Sequence, residues 1–339
     1  MTFISHTRTA QAAYLDLLRL HLDEAASDVV GTIEERKRGE RVYLYDKFRI
    51  GTAIKSRYIG EATPELRARI ERALTLKAEA KDRRAAMLRL ARILRVEGLM
   101  TVDRDTGSLL SAFARAGVFR LGGTLIGTAA YGLYQGELGV RFGLDDLART
   151  GDIDFASFER LSVALGDRVE ETPNDILKTL QFDPVPGVAD RQVWRWRQNR
   201  GEALVEFLTP AFGDETIKPL PALGVSAQGL NYLNYLIAEP IHAVVLYRAG
   251  VLVQIPRPER FAIHKLIVAD RRRGGHDQAK ARKDRAQAAF LIEVLAADRP
   301  EELAEAFATA RDQGPRWRER MDRTLELMEE TAGTLVRIS

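Results

Sequence analysis

Cysteine is absent from this chain of 339 residues. Its absence excludes disulfides, thiolate metal sites and cysteine nucleophiles, and it fits a reducing compartment. The chain also lacks an apolar stretch as long as a membrane span, and its first residues show no basic segment followed by an apolar run. We therefore expect a cytoplasmic protein that makes no contact with a membrane.

Charge of one sign is not in large excess, because 51 lysine and arginine residues face 48 acidic ones, for a net charge of +3. Hydrophobic residues form 45% of the chain, which is ample for a core, and the length suggests two or three domains. We predict an N-terminal helix, small β-meander and long basic helix in residues 1–110. A core with the functional motifs follows in residues 111–257, and a helical domain in residues 258–339.

Two aspartates that flank one apolar residue, Asp152 and Asp154, lie in the short segment DIDFA. Side chains alternate along a strand, so both carboxylates share one face while Ile153 and Phe155 enter a core. Two neighbouring carboxylates repel each other unless a cation lies between them, and hard oxygen ligands suit Mg²⁺. The segment predicts a magnesium site, although a solvated pair of acids near a turn explains these two residues equally well when they are taken alone.

A glycine turn precedes the two acids in the chain. The apolar run at residues 118–121 predicts a strand that ends in Gly122-Gly123-Thr124, and a helix rich in small residues follows. The backbone allows close approach at glycine, and the N–H groups that open a helix favour an anion such as phosphate. A phosphate-binding turn combined with metal-binding carboxylates predicts phosphoryl-transfer chemistry.

The order of these motifs resembles the signature of the DNA polymerase beta-like nucleotidyltransferase superfamily. That signature has a hydrophobic residue, a glycine, then glycine or serine, and later two acids around one apolar residue; Gly122-Gly123 and Asp152-Ile153-Asp154 match it. The segments LGGTLIGTAAY and TGDIDFA most resemble a bacterial nucleotidyltransferase-like branch of this superfamily. They are also similar to the nucleotidyltransferase toxins of abortive-infection systems.

The resemblance covers roughly residues 115–260 and implies an α+β fold. In that fold a nucleotidyltransferase-type mixed sheet is flanked by helices. We expect a helical and β-hairpin N-terminal region before it and a helical C-terminal region after it.

A third carboxylate on a later strand belongs to the family pattern, and the segment LVEFLTP offers Glu206 there. Leu204 and Leu208 share its face of the strand, so a single acid is presented among apolar neighbours. The family more often has aspartate at this position, and the spacer before Asp152 is longer than in compact members. By resemblance, Asp152, Asp154 and Glu206 are the predicted catalytic and metal-binding residues.

Two C-terminal helices supply further candidates through the same resemblance. A lysine on the helix after the sheet often reaches the triphosphate in these families, and Lys265 takes that place here, although a surface lysine explains it equally well. The toxins carry a lysine- or arginine-aspartate pair at the start of a comparable helix, which Lys283 and Asp284 match. The predicted nucleotide-binding residues are Gly122, Gly123, Thr124, Lys265, Lys283 and Asp284.

The activity implied by the resemblance is Mg²⁺-dependent transfer of a nucleoside monophosphate from an NTP to an acceptor hydroxyl, with release of pyrophosphate. Asp152 and Asp154 would hold two Mg²⁺ ions, and Glu206 would complete the second site. The expected acceptor is RNA, including tRNA, or a protein, and a cognate protein partner is a further expectation. Two alternatives stay open: a degenerate core that binds nucleic acid or a protein, and a metal-dependent phosphodiesterase, against which the glycine turn argues.

Other segments predict the surrounding structure. Tyrosines and basic residues interleave in RVYLYDKFRIGTAIKSRYIG, which predicts a small meander; it could stack a base, but an ordinary exposed sheet face is the stronger interpretation. Residues 64–99 predict one long helix or two in line, with a basic outer face. Residues 193–197 predict a strand that pairs with the Glu206 strand, and residues 242–255 predict a hairpin that extends the sheet.

Overall fold

The computed structural model describes residues 3–25, 32–39, 41–50, 53–143, 152–157, 171–185, 192–199, 203–274 and 277–338. Within these ranges the chain has an α+β fold, as the sequence predicted. The helices are α1 (Arg8–Ala25), α2 (Pro64–Ala78), α3 (Ala80–Val96), α4 (Arg104–Ala116), α5 (Gly127–Leu138), α6 (Pro173–Thr179), α7 (Leu233–Leu236), α8 (Pro258–Arg271), α9 (Gln278–Asp298), α10 (Pro300–Asp312), α11 (Pro315–Leu325) and α12 (Glu329–Ile338).

The strands form one central mixed sheet and three smaller sheets within the described ranges. They are β1 (Ile4–Ser5), β2 (Thr32–Arg38), β3 (Arg41–Ile50), β4 (Ala53–Glu61), β5 (Thr124–Ile126), β6 (Val140–Arg141), β7 (Asp152–Ala156), β8 (Phe182–Pro184), β9 (Arg195–Gln198), β10 (Leu204–Ala211), β11 (Ile217–Leu220), β12 (Val225–Asn231), β13 (Ile241–Val245) and β14 (Val251–Ile255).

The central sheet has the strand order β11-β12-β10-β7-β5. Strands β7, β10 and β12 are parallel to one another, whereas β5 and β11 are antiparallel to their neighbours. Strand β9 pairs with the first half of β10, and β8 pairs with β9. The predicted pairing between residues 193–197 and the Glu206 strand is thereby confirmed.

Apolar residues on one face of β7 and β10 anchor these strands in the core. Ile153 and Phe155 alternate with the acids of β7, and Val205 and Phe207 do the same on β10; each is at most 4% exposed. The Phe155 and Phe207 rings stack 5.6 Å apart, and Phe113 of α4 packs against both. Burying such a side chain stabilises the fold by about 1.5–3 kcal/mol. The core contact therefore fixes which way the opposite, acid-bearing face points.

The apolar run at residues 118–121 is a turn and not the predicted strand. It follows Gly117, which ends α4 with a φ of +88°. The amide of Gly123 donates to the Val118 carbonyl at 2.9 Å, and a Cβ at Gly123 would lie 2.8 Å from that oxygen. The glycine pair is therefore required to close a tight turn, and the strand begins after it, at β5.

The hairpin of β13 and β14 is a separate two-stranded sheet and does not extend the central sheet as predicted. Val245 and Val253 are fully buried on one of its faces, and Val244 is 2% exposed on the other. Helices α1, α4 and α5 pack against it. A strand pair covered by helices on both faces is stabilised by side-chain packing, so it does not need a hydrogen-bonded neighbour in the central sheet.

The N-terminal region contains the predicted meander, β2-β3-β4, with antiparallel pairing throughout. The predicted helical segment after it forms two helices, α2 and α3, and α3 packs on α1. At the other end of the chain, α8 to α12 share one continuous buried cluster with the central sheet, from Leu109 to Leu335. None of the helices in the described ranges is long and apolar enough to cross a membrane.

Candidate active site

The acids predicted to act together lie on neighbouring parallel strands. Asp154 of β7 is in register with Glu206 of β10, and Asp152 is in register with Leu204. Paired residues of a parallel ladder point to the same face, so the Asp154 and Glu206 side chains lie next to each other. Both side chains are half-buried. The structure therefore brings two of the three predicted carboxylates together.

Asp152 occupies the same strand two residues before Asp154, and its side chain lies outside what the structure describes. Because strand side chains alternate, its backbone position places it on the face of Asp154. Among the side chains that are described, no group of three or more histidine, aspartate and glutamate residues is arranged to hold a metal ion.

A glycine that the sequence analysis did not select, Gly127, lies against Asp154. Ile126 of β5 pairs with Asp154, and the chain then enters α5 at Gly127 with a φ of +66°. A Cβ at Gly127 would lie 2.5 Å from Asp154 Oδ2. The carboxylate therefore packs directly on the backbone at the start of α5, and only glycine leaves room for it.

Gly122, Gly123 and Thr124 lie elsewhere, so their placement departs from the predicted phosphate-binding turn. Strand β5 is antiparallel to β7, which puts Thr124 opposite Ala156 and the glycine pair beyond the end of β5 that is remote from Asp154. The Thr124 side chain is buried, and its hydroxyl donates to the Gly122 carbonyl at 3.3 Å. These residues close a turn and do not line the cavity at the acids.

That cavity, of about 390 Å³, lies between β10, β12, the start of α5 and helices α8 and α9. Five basic and three acidic side chains line it, so its walls carry an excess of positive charge. The charged lining residues are Asp154, Lys265, Arg271, Arg272, Asp277, Lys280, Lys283 and Asp284. The predicted residues Lys265, Lys283 and Asp284 thus all lie at the same cavity as Asp154.

A buried ion pair joins the two helices that form the cationic wall. Lys265 Nζ of α8 lies 2.5 Å from Asp284 Oδ1 of α9, and both side chains are at most 10% exposed. Arg272 Nη1 donates to the other Asp284 oxygen at 2.8 Å. Asp284 therefore neutralises Lys265 and orients Arg272, whose side chain is 39% exposed. Arg272 was not predicted; the run of three arginines before the glycine pair at 274–275 was its only sequence signal.

Lys283 connects α9 to the start of α5. Its Nζ donates to Thr128 Oγ1 at 3.2 Å. The first N–H groups of a helix and the positive end of its dipole favour an anion, and an ammonium beside them strengthens that preference. Thr128, like Gly127, belongs to a second Gly-Thr pair that the sequence analysis passed over.

His264 forms part of the same wall in a neutral state. Burial, together with Lys265, Arg271 and Arg272, lowers its pKa from 6.5 to about 3, against a smaller opposite effect of Asp284. Its pKa lies below that of the unfolded chain, so the folded protein binds fewer protons below pH 6.5. The stability that neutral His264 contributes is present above pH 6.5 and is lost as the pH falls towards 3.

We expect the His264→Gln variant to lose less stability on acidification than the wild type. Between pH 6.5 and 4.5 the wild type should lose about 2–3 kcal/mol more of its free energy of unfolding than the variant. Urea unfolding of both proteins at these two pH values measures the difference. Equal losses in the two proteins would show that His264 does not cause this loss of unfolding free energy.

The chain is similar to a described protein family and to a solved structure. A family model described as Nucleotidyltransferase matches residues 104–312. A crystal structure of an antigenic nucleotidyltransferase-like protein from Paracoccidioides brasiliensis aligns with 66% of this chain and 94% of its own, at 16% sequence identity and a TM-score of 0.33. None of the curated proteins compared with the chain matches it.

Proposed function

Because the chain belongs to this nucleotidyltransferase family, we propose that it transfers a nucleoside monophosphate from an NTP to an acceptor hydroxyl. The observation that carries the proposal is the in-register pair Asp154 and Glu206, of which Asp154 lines a cavity with cationic walls. Carboxylates on one side and cations on the other are the two halves that a metal-bound triphosphate requires.

The triphosphate would lie at the start of α5. There the helix N–H groups and Lys283 face the cavity, and Arg272 is held at its wall by Asp284. Gly127 allows Asp154 to pack against the start of α5, so the acid and the helix end proposed to bind phosphate lie side by side. Lys265, whose charge Asp284 already balances, would act as a positioning residue for α9 and for Arg272.

The acids fit Mg²⁺. Asp154 and Glu206 place two half-buried carboxylates in register, and carboxylate oxygens are the ligands that Mg²⁺ prefers. We propose that Asp152, Asp154 and Glu206 hold two such ions, which when bound neutralise the triphosphate and lower the pKa of the attacking hydroxyl.

The reaction is a substitution at the α-phosphorus. The acceptor oxygen forms a bond to that phosphorus, the bond to the β-phosphate oxygen breaks, and pyrophosphate leaves. We propose that Glu206 accepts the proton of the acceptor hydroxyl, and its position beside Asp154 on the acid face of the sheet supports this role. Positioning and charge neutralisation supply most of the rate in such transfers.

We propose RNA, including tRNA, or a protein side chain as the acceptor. A cognate protein partner remains a prediction. Kinship with the toxins of abortive-infection systems is likewise a prediction. Its support is the pair Lys283 and Asp284, which lies in the second turn of α9 at the cavity wall.

A second candidate is a degenerate member that binds nucleic acid or protein without transfer. The glutamate at 206, where the family more often has aspartate, favours it. This candidate predicts no Mg²⁺-dependent NTP binding, whereas the transferase predicts that binding.

Calorimetric titration with each NTP in the presence of Mg²⁺ separates the two candidates. We expect the wild type to bind at least one NTP and the Lys283→Met variant to bind it about tenfold or more weakly, since one charge-assisted hydrogen bond contributes about 1.5–3 kcal/mol. Lys178→Met, which removes a lysine outside the cavity, is the matched control and should bind as the wild type does. Absence of binding by the wild type would support the degenerate member.

A further inference from the structure

The N-terminal sheet presents three tyrosines on one of its faces. Tyr43 and Tyr45 are two residues apart on β3, and Tyr58 of β4 is paired with Tyr45. The Tyr58 ring centroid lies 5.4 Å from that of Tyr45 and 6.2 Å from that of Tyr43. Tyr58 is 55% exposed. We call this surface, with the residues of β2 and β3 that flank it, the tyrosine face.

Basic side chains surround these rings. Alternation and register place four of them on the tyrosine face, where they are exposed. They are Arg36, Arg38, Arg41 and Lys47. The acids of the same face are Glu34, which pairs with Arg36 and Lys47, and Glu61, which pairs with Arg41. Among the side chains of this face that the structure describes, four cations against two acids leave an excess of positive charge.

The opposite face of the sheet has a different character. Leu44 and Asp46 alternate with the tyrosines of β3 and are buried. Gly60, paired with Leu44, lies against Leu66 of α2, where a Cβ would be 2.9 Å from the leucine side chain. Helix α2 thus covers that face, and the tyrosine face is the solvent side of the meander.

Aromatic rings among exposed cations are the chemistry of a surface that binds single-stranded nucleic acid. Unpaired bases stack on aromatic rings irrespective of sequence, and cations follow the phosphates. The Arg36 guanidinium already lies over the Tyr45 ring, 4.4 Å from its centroid, which orients a cation beside the stacking surface. From this arrangement we propose that the tyrosine face binds a single-stranded polynucleotide.

Under the proposed transferase activity, the polynucleotide bound at the tyrosine face is the acceptor or a part of it. This acceptor role rests on the proposed function, whereas the binding itself does not. The tyrosine face lies outside the segment that the family model matches, residues 104–312. A nucleic-acid acceptor would then be selected by the N-terminal region and modified at the cavity.

Fluorescence anisotropy with labelled oligonucleotides of roughly 16 nucleotides tests the binding. We expect single-stranded RNA and DNA to bind more tightly than a duplex, because paired bases cannot stack on the rings. Tyr58→Ala should weaken binding about tenfold or more, and Tyr58→Phe, which keeps the ring, should change it less than about twofold.

Charge is tested on neighbouring residues of β2. Arg38→Gln removes a cation from the tyrosine face and should lower the salt slope of log K by about 0.7, between about 50 and 200 mM salt. Lys37→Gln removes an exposed cation from the opposite face of the same strand and should leave the slope unchanged.

The proposal would be overturned if no oligonucleotide bound at low salt, and binding of a protein to the tyrosine face would not rescue it. Equal binding of single strands and duplex, or unaltered binding by Tyr58→Ala, would also overturn it. Asp154→Asn separates this inference from the transferase, because it should bind oligonucleotides as the wild type does. A wild type that binds the oligonucleotides but transfers no nucleotide would count against the cavity chemistry alone.

Discussion

Replacing Asp154 by Asn should lower nucleotidyl transfer by about 10²–10⁴-fold and leave the fold intact. The substitution keeps the shape of the side chain but removes the charge that lies in register with Glu206 and against Gly127. Metal-assisted charge stabilisation contributes several kcal/mol to such reactions, and each 1.36 kcal/mol is about a tenfold change in rate. Initial rates of label transfer, with circular dichroism to verify folding, measure the effect.

Asp183→Asn is the matched control for this experiment. Asp183 is an exposed carboxylate on β8 of the same central sheet and does not line the cavity. Its loss should leave the transfer rate unchanged within about twofold, as expected for a surface substitution. Activity of Asp154→Asn equal to that of Asp183→Asn would remove Asp154 from the mechanism.

Gly127→Ala should lower transfer by about 10²-fold, because a misplacement of about 1 Å can reduce a rate by that factor. The new methyl group would lie 2.5 Å from Asp154 Oδ2, so the carboxylate must move away from the start of α5. The φ of +66° adds strain of about 1–2 kcal/mol for a residue with a side chain. Transfer rates and urea unfolding together separate the two effects.

Gly139→Ala supplies the comparison at the other end of the same helix. Gly139 has a φ of +64°, and its Cβ would meet the end of the flexible Gln11 side chain. The Gly139→Ala variant should lose about as much free energy of unfolding as Gly127→Ala does, and it should keep its transfer activity. If Gly127→Ala were no less active than Gly139→Ala, the close contact between Gly127 and Asp154 would have no role in catalysis.

Local patterns predicted the acid-bearing strands well. Alternation over the five residues of DIDFA and the four residues of VEFL was sufficient to predict which side chains enter the core, and the structure buries Phe155 and Phe207 accordingly. Such alternation is set by backbone geometry alone, so it needs no knowledge of the rest of the fold. That Glu206 lies beside Asp154 depended on strand pairing, which only the family resemblance supplied.

The glycine assignment shows where local patterns become insufficient. The segment GGTLIGT contains two Gly-Thr pairs within seven residues. Only the pairing of Ile126 with Asp154 decides that the second pair lies at the acids. The buried ion pair of Lys265 with Asp284 could not be predicted from local sequence either, because it depends on the packing of α8 against α9. Long-range packing therefore determined the details that the sequence analysis missed.

The fate of the label in parallel reactions with α- and γ-labelled NTP tests the account most directly. With Mg²⁺ and a pool of cellular RNA and protein, the wild type should transfer the α-label to an acceptor and release the γ-label as pyrophosphate. The same reactions with Asp154→Asn should form both products about 10²–10⁴-fold more slowly. Transfer of the γ-label to an acceptor, or release of the γ-label as inorganic phosphate without α-label transfer, would contradict nucleotidyl transfer at this cavity.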